Sequence, residues 1–326
     1  MNSITDVIHA IEAAKRIAIT THIRPDGDAI GSVLGLRRTL AAAGRSASIV
    51  AMDPPSRRYA FLMADDHIIP AGETGPEAFD LLIILDTGAL DRAPAAIGPW
   101  MSRVRTLNID HHPTNTGFAD LNYVVPSASS TGEMISDLAI AAGYTIPPDA
   151  AEALWVALIT DTGRFSFSNT TRAAMQTAAA LLDTGIRTDR LNHRIYETAT
   201  ADQIRLQGRA IEHLELHREG RIALVSLSLD DFAEFHCTGE DADEMVAVPR
   251  RVSGADIAIF LYELPGERRG ETKASIRTEE PFNAADLCRL LGGGGHARAA
   301  GCSLKMTLAS ARERILDLIA ETWFPA

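Results

Sequence analysis

The sequence predicts an α/β fold: a mainly parallel N-terminal sheet with helices on both faces, followed by a smaller α+β domain. Residues 1 to 185 alternate short apolar runs with helical stretches, the pattern of βα units. Several of those runs end in Asp or His at their C-terminal end, as strands that run parallel and present ligands at one edge would. Beyond about residue 213 the runs become polar-alternating, the texture of strands with one exposed face.

The elements follow in order. Met1 to Arg16 is an amphipathic helix pattern carrying Asp6 and Glu12, not a basic and then apolar leader. Arg16 to Thr20 reads as a buried strand and Ala29 to Leu40 as a helix. Ser46 to Val50 is a second strand, and Leu81 to Leu85 a third, fully buried one that ends in Asp86-Thr87-Gly88. Val104 to Ile109 is a fourth, ending in Asp110-His111-His112-Pro113. Ser130 or Thr131 caps a helix running to Ala142. Pro147-Pro148-Asp149 opens another helix, with Leu154, Trp155, Leu158 and Ile159 on its apolar face, which closes at Thr160-Asp161-Thr162-Gly163. Phe165 and Phe167 alternate with polar residues; they are core side chains or platforms for a base, and Thr171 to Leu182 returns to helix.

Domain boundaries are expected at 1–185 and 213–326, joined by a charge-dense helical connector over 186–212. In the second domain Arg221 to Leu229, Asp256 to Leu264 and Thr272 to Thr278 read as strands. They are followed by Leu291-Gly292-Gly293-Gly294-Gly295-His296 and a terminal helix, Thr307 to Thr322.

Bulk properties narrow the function classes. A chain of 326 residues, 46% hydrophobic and 23% charged, buries a sizeable core. A net charge of −12 excludes a protein that coats long duplex nucleic acid, which needs many Lys and Arg phosphate contacts. Cys237, Cys288 and Cys302 have no CxxC spacing, so neither a disulfide framework nor a zinc ribbon is expected, and a reducing cytoplasm fits. No apolar run reaches the ~18 residues of a membrane span. A homodimer stays open.

The chemistry starts at His22, Asp26 and Asp28, three ligand types within seven residues where a strand hands over to a helix. Strands lying parallel add Asp86, Asp110, His111 and His112 at the same edge, and Asp161 closes a nearby helix. Imidazole mixed with carboxylate favours Mn²⁺, Mg²⁺, Fe²⁺ or Zn²⁺ over Ca²⁺. Eight candidates are too many for one ion and suit two, about 3.5–4 Å apart, which need a shared carboxylate. Asp86, at the tip of a central strand, is the natural bridge.

The order His-x-x-x-Asp-x-Asp, Asp-Thr-Gly, Asp-His-His, Asp-Thr-Gly resembles the N-terminal motifs of the DHH phosphoesterase superfamily. Gly292 to His296 with Ala299-Ala300-Gly301, preceded by Ser275-Ile276-Arg277-Thr278, is similar to its DHH-associated C-terminal domain. The resemblance implies one ion on His22, Asp26 and Asp86, and a second on Asp28, Asp86, His111 and Asp161, with Mn²⁺ preferred and Mg²⁺ the alternative. Asp110 would orient a ligand histidine, and His112 would meet the scissile phosphate and help protonate the leaving oxygen. Arg277, His296 and the N–H groups of Gly293, Gly294 and Gly295, with Arg298 in support, would grip another phosphate. The branch resembled acts on short oligoribonucleotides, releasing 5′-mononucleotides, and on adenosine 3′,5′-bisphosphate. A phosphodiesterase for linear or cyclic dinucleotides would use the same residues. Pyrophosphatase and processive exonuclease readings fit the C-terminal motif and the length less well, and a non-catalytic nucleotide binder would be expected to have lost a ligand.

Overall fold

A computed structural model describes residues 2–242 and 245–324. The chain divides into two compact units, 1–198 and 199–326.

In the first unit, apolar runs flanked by turn residues pair into six strands: β1 (Arg16–Thr21), β2 (Ser46–Val50), β3 (Ile68–Ile69), β4 (Leu81–Leu85), β5 (Arg105–Asp110) and β6 (Leu121–Val124). All pairings are parallel, in the order β3-β2-β1-β4-β5-β6. The order reverses direction between β1 and β4, and in open α/β sheets ligands bind beyond the carboxyl ends of the strands at such a reversal.

Burial alternates with the pleat. Ile17, Ile19, Leu81, Ile83, Leu85, Leu107 and Ile109 face a large core shared with six helices. These are α1 (Ile4–Ala13), α2 (Gly27–Ala42), α3 (Thr131–Ala141), α4 (Pro148–Asp161), α5 (Arg172–Leu182) and α6 (Thr188–Tyr196). Ala18, Val50, Leu82 and Ile84 face the other way, towards Ile97, Trp100 and Val104. Helices cover both faces, but unequally: the second cover is the 3₁₀ helix Ala95–Trp100.

The caps form where side-chain oxygens can take orphan N–H groups. Asp26 accepts from Ala29 N at the start of α2, Ser130 from Glu133 N at α3, and Thr171 from Ala174 N at α5.

Helices α2 and α4 touch backbone to backbone. A Cβ on Gly27 would lie 2.5 Å from the Thr160 side chain, one on Gly31 2.3 Å from the Ala153 carbonyl oxygen, and one on Gly35 2.5 Å from Leu154 Cδ2. Later α2 residues thus meet earlier α4 residues, so the helices run in opposite directions. The start of α2, with Asp28, therefore lies beside the end of α4, with Asp161.

The second unit holds α7 (Ala201–Glu212), β7 (Leu214–His217), β8 (Ile222–Leu227), α8 (Leu229–Glu234), α9 (Ala247–Arg250), β9 (Ile257–Glu263), β10 (Thr272–Thr278), α10 (Ala284–Leu290), β11 (Gly294–His296), β12 (Ala299–Leu304) and α11 (Leu308–Trp323). The sheet order is β11-β12-β10-β9-β8-β7, with β8 and β9 parallel and the other pairs antiparallel. One face packs under α10 and α11 through Leu224, Ile259, Ile276, Leu287 and Ile315. The opposite face of β8 and β9 is covered by α7 to α9 through Leu206, Phe232 and Val248. That cover stops at β10, which alternates buried and half-buried residues along its length. A one-sided sheet is therefore found at β10 and not at β8 or β9. The stretch 186–212 is largely helical and divides between the units, α6 in the first and α7 in the second. Among the described residues no helix is long and apolar enough to cross a membrane.

Two glycines inside helices separate propensity from packing. Gly208 in α7 has open space around its Cβ position, so Gly208→Ala should stabilise the second unit by up to about 1 kcal/mol. Gly31→Ala gains the same propensity but drives a methyl into a backbone carbonyl, and it should destabilise the first unit by roughly 1–3 kcal/mol. Denaturant unfolding of both variants checks the opposite signs; stabilisation by Gly31→Ala would show that α2 and α4 do not pack this closely.

Candidate metal centre

The centre assembles at the strand-order reversal. His22 follows β1 and Asp86 follows β4, while Asp110 ends β5 with His111 and His112 directly after it. Asp28 lies in the first turn of α2, and Asp161 is the last residue of α4. Every ligand expected from the first 185 residues reaches this edge.

Asp86 is at the middle. Its Oδ2 lies 3.6 Å from His22 Nε2 and its Oδ1 3.6 Å from His111 Nε2. His22 Nε2 is also 3.9 Å from Asp26 Oδ1, while His111 Nε2 is 3.7 Å from Asp28 Oδ2 and 3.7 Å from Asp161 Oδ2. Ligands bonded to one ion at about 2.0–2.2 Å stand roughly 3.0–3.6 Å apart. The observed spacings are that arrangement slightly relaxed, in two groups that share Asp86.

The histidine tautomers agree. His22 Nδ1 donates to the Ile23 carbonyl at 2.9 Å and His111 Nδ1 to the Ala128 carbonyl at 3.2 Å. A carbonyl only accepts, so each ring keeps Nε2 for the carboxylate side, the nitrogen through which an imidazole so anchored ligates a cation. Side-chain exposure of 65% at Asp26 and 27% at His112, against 3% at Asp86, marks the side open to solvent.

Electrostatics add a third sign of fit. Burial and the charges of Asp86, Asp161 and Asp26 push the Asp28 carboxyl well above its usual range. Burial also raises Asp161, to about 7; His111 opposes this and Asp86 adds to it. Asp86 goes the other way: burial opposes ionisation, but the His22 hydrogen bond and the charges of His112 and His111 outweigh it. Burial disfavours charge on His22, yet its Asp86 hydrogen bond and the Asp26 and Asp86 charges raise it to about 8. Burial likewise opposes charge on His112, which its Asp110 hydrogen bond and the Asp86 charge raise to about 9. A cluster in which some carboxylates ionise at the expense of others lacks positive charge, and divalent cations supply it.

Several supporting groups carry little or no signal in the sequence. Thr131 N and Gly132 N, at the start of α3, donate to the two oxygens of Asp28 at 2.7 and 3.0 Å, so a helix N-terminus holds a ligand carboxylate in place. Thr131 Oγ1 donates to Asp86 Oδ1, Ser32 Oγ to Asp28 Oδ1, and Asn169 Nδ2 to Asp161 Oδ2. Asn108, fully buried in β5, donates to the carbonyls of Ile84 and Thr87, and Asn115 donates to Asp110 and Asn108. A polar residue inside the apolar run Val104 to Ile109 is a readable clue for Asn108; Asn169 has none.

Asp110 orients a different histidine from the one expected. Its Oδ1 accepts from His112 Nδ1 at 2.7 Å, while the ligand-like His111 uses a carbonyl. Residues i and i+2 of an extended chain share a side, and His111 falls on the opposite one. Asp86 itself is left-handed, with φ of +52°, a conformation that Asp tolerates better than most residues. Phe165 is half-buried and packs against the core, edge-on to Trp155 at 5.9 Å.

In the second unit, Arg277 and Ser275 on β10 line a hollow of about 250 Å³ with Gly294, Gly295 and Ala299 to Gly301. Arg277 donates to the Ile276 carbonyl, and among the described residues no carboxylate lies within 4 Å of it. Burial, and then the charge of Arg250, lower it to about 10. The glycine run is a turn followed by an edge strand. Gly292 has φ of +74°, Gly293 N donates back to the Cys288 carbonyl, and a Cβ on Gly293 would sit 2.2 Å from the Gly301 oxygen. Gly294 to His296 then pair with β12, His296 opposite Ala299. Arg298 turns elsewhere, donating to the Phe282 carbonyl and to Glu280.

Residues 16–158 match the DHH family, N-terminal domain, and residues 223–323 match the DHHA1 domain. The bifunctional oligoribonuclease and PAP phosphatase NrnA of Thermus thermophilus is 36% identical over 323 residues, covering 98% of this chain and 94% of that one. The protein of the same name from Bacillus subtilis is 30% identical over 303 residues, covering 92% and 93%. An exopolyphosphatase-related protein from Bacteroides fragilis, solved by crystallography, superposes with a TM-score of 0.88 at 26% identity, over 99% of this chain and 96% of that one. With both domains in order and such similarity along nearly its whole length, the chain belongs to the DHH family.

Proposed function

We propose that this phosphoesterase hydrolyses very short oligoribonucleotides to 5′-mononucleotides and removes the 3′-phosphate of adenosine 3′,5′-bisphosphate, using two divalent ions, Mn²⁺ in preference to Mg²⁺. One observation carries the two-ion reading: each oxygen of Asp86 faces the Nε2 of a different histidine at 3.6 Å. The substrate class is supported by the similarity to the Thermus and Bacillus enzymes. Three cysteines outside any disulfide suit a reducing cytoplasm as the place of action.

His22, Asp26 and Asp86 would hold one ion, and Asp28, Asp86, His111 and Asp161 the other. When bound, the ions supply Lewis-acid activation of a water nucleophile and neutralise charge on the phosphoryl oxygens. The chain's own groups do the rest. Asp28 is fixed by the N-terminus of α3, and Asp86 by Thr131, so the ligand oxygens are oriented before substrate arrives. His112 keeps Nδ1–H on Asp110, and through Nε2 it would meet the scissile phosphate and pass a proton to the leaving oxygen. Arg277, half-buried and with no carboxylate within 4 Å among the described residues, would bind another phosphate beside Gly294 and Gly295, with His296 and Gly293 in the same segment. Arg298, tied to Glu280, would have to exchange partners to join them.

The deciding experiment is turnover with Mn²⁺ on a matched panel: RNAs of about two to five nucleotides, a long RNA, adenosine 3′,5′-bisphosphate, a cyclic dinucleotide and pyrophosphate. Preference for the shortest RNAs and the bisphosphate is expected; turnover of dinucleotides alone would move the enzyme to nucleotide signalling. Asp86→Ala should lose at least about 10³-fold in kcat and bind fewer ions, while staying cooperatively folded with the melting temperature of the metal-free wild type, and near-normal turnover would refute the shared-carboxylate centre. Arg277→Ala should raise KM about tenfold or more, with kcat and ion content unchanged. An unchanged KM would remove Arg277 from substrate binding.

A further inference from the structure

Behind His112 lies an amide pair that no ion-binding role uses. Asn115 Nδ2 stands 2.6 Å from Asp110 Oδ2, 2.7 Å from Asn108 Oδ1 and 3.4 Å from the Thr87 carbonyl oxygen, all acceptors. Its Oδ1 accepts from Gly117 N at 2.8 Å, which fixes the amide's orientation, because a flip would set oxygen against oxygen. Asn108 has no exposure and ties this amide to the end of β4 through Ile84 O and Thr87 O, next to Asp86. Asp110 is fully buried; one oxygen takes the Asn115 donor and the other takes His112 Nδ1–H at 2.7 Å.

We propose that Asn115, seated on Asn108, is a positioning residue that locks the Asp110 carboxylate, and through it the ring of His112, in the orientation needed at the leaving oxygen. The inference rests on the phosphoester-hydrolysing reading of the centre. Without the Asn115 donor, one buried carboxylate oxygen loses its partner and the carboxylate is free to turn. The Nδ1–H acceptor then moves with it, and the ring of His112 is no longer held. A second role is open to Asn115, that of merely shaping the 112–117 loop, where Asn115 N donates to the His112 carbonyl and Thr116 N to the Gly88 carbonyl.

Two substitutions separate the roles. Asn115→Asp keeps the shape and the oxygen that accepts from Gly117 N, but sets a carboxylate against Asp110; Asn115→Ala removes both ends. A loop role makes Ala the worse change, and a positioning role makes Asp the worse. We expect Asn115→Ala to lower kcat about 10–100-fold, with KM and bound ions unchanged, and Asn115→Asp to lower it further. The downfield Nδ1–H resonance of His112 should weaken in both, read in ¹⁵N-histidine protein loaded with Mg²⁺ and assigned by its loss in His112→Gln. Kinetics are run on a short RNA and on a linear deoxydinucleotide, whose leaving alkoxide oxygen equally needs a proton. Cleavage of the deoxydinucleotide alone would overturn the proposed substrate, and the order of Ala and Asp on that diester would still decide Asn115. An Asp variant as active as the Ala variant or better, a loss confined to KM or ion content, or an unchanged His112 resonance would overturn the proposal.

Discussion

The close approach of α2 to α4 is the constraint on which the centre depends. Gly27, Gly31 and Gly35 recur every fourth residue, so they share one face of α2, and their missing side chains let that face rest on Ala153, Leu154, Ala157 and Thr160. Any side chain there would hold the helices apart, and the separation would appear where α2 begins and α4 ends. Those ends carry Asp28 and Asp161. A second short contact, Gly132 against Ala157, brings α3 into the same corner and aims its first N–H groups at Asp28. The ligand cage is thus a by-product of backbone packing, rigid for the reason that protein interiors are rigid.

Electrostatics then work against that packing. Burying carboxylates together is unfavourable, and the structure meets it with helix N–H groups on Asp28, histidines around Asp86 and an amide on Asp161. The compensation is partial, since Asp28 and Asp161 still resist ionisation. A site tuned in this way gains stability when cations bind and loses it when they leave.

Much of this was legible in the sequence, for identifiable reasons. β2, β4 and β10 match their expected spans; β4 is buried throughout and β10 in strict alternation, both patterns that the residue types carry. The edge strands β3, β6 and β11 carry two to four residues each and leave little periodicity to read. The ligands could be listed because strand ends and acids coincide in order, and the family could be named from that order. The groups behind them could not. Asn115, Asn169 and Thr131 act through contacts between segments far apart in the chain, and their identities are ordinary for loops and caps. The histidine served by Asp110 follows from strand alternation, so it was readable from spacing alone.

The wall of the hollow in the second unit has its own consequence. Gly293 and Gly295 leave no space for a Cβ against β12, and Gly295 adds a φ of +139° that side chains rarely adopt. Substitution there disturbs the sheet before it changes the surface. On β10, by contrast, Ser275 and Arg277 line the hollow from the half-covered side. Divergence in what this hollow accepts is therefore channelled to β10 and to Gly294, whose Cβ position is open, while Gly295 stays the fixed point of the wall.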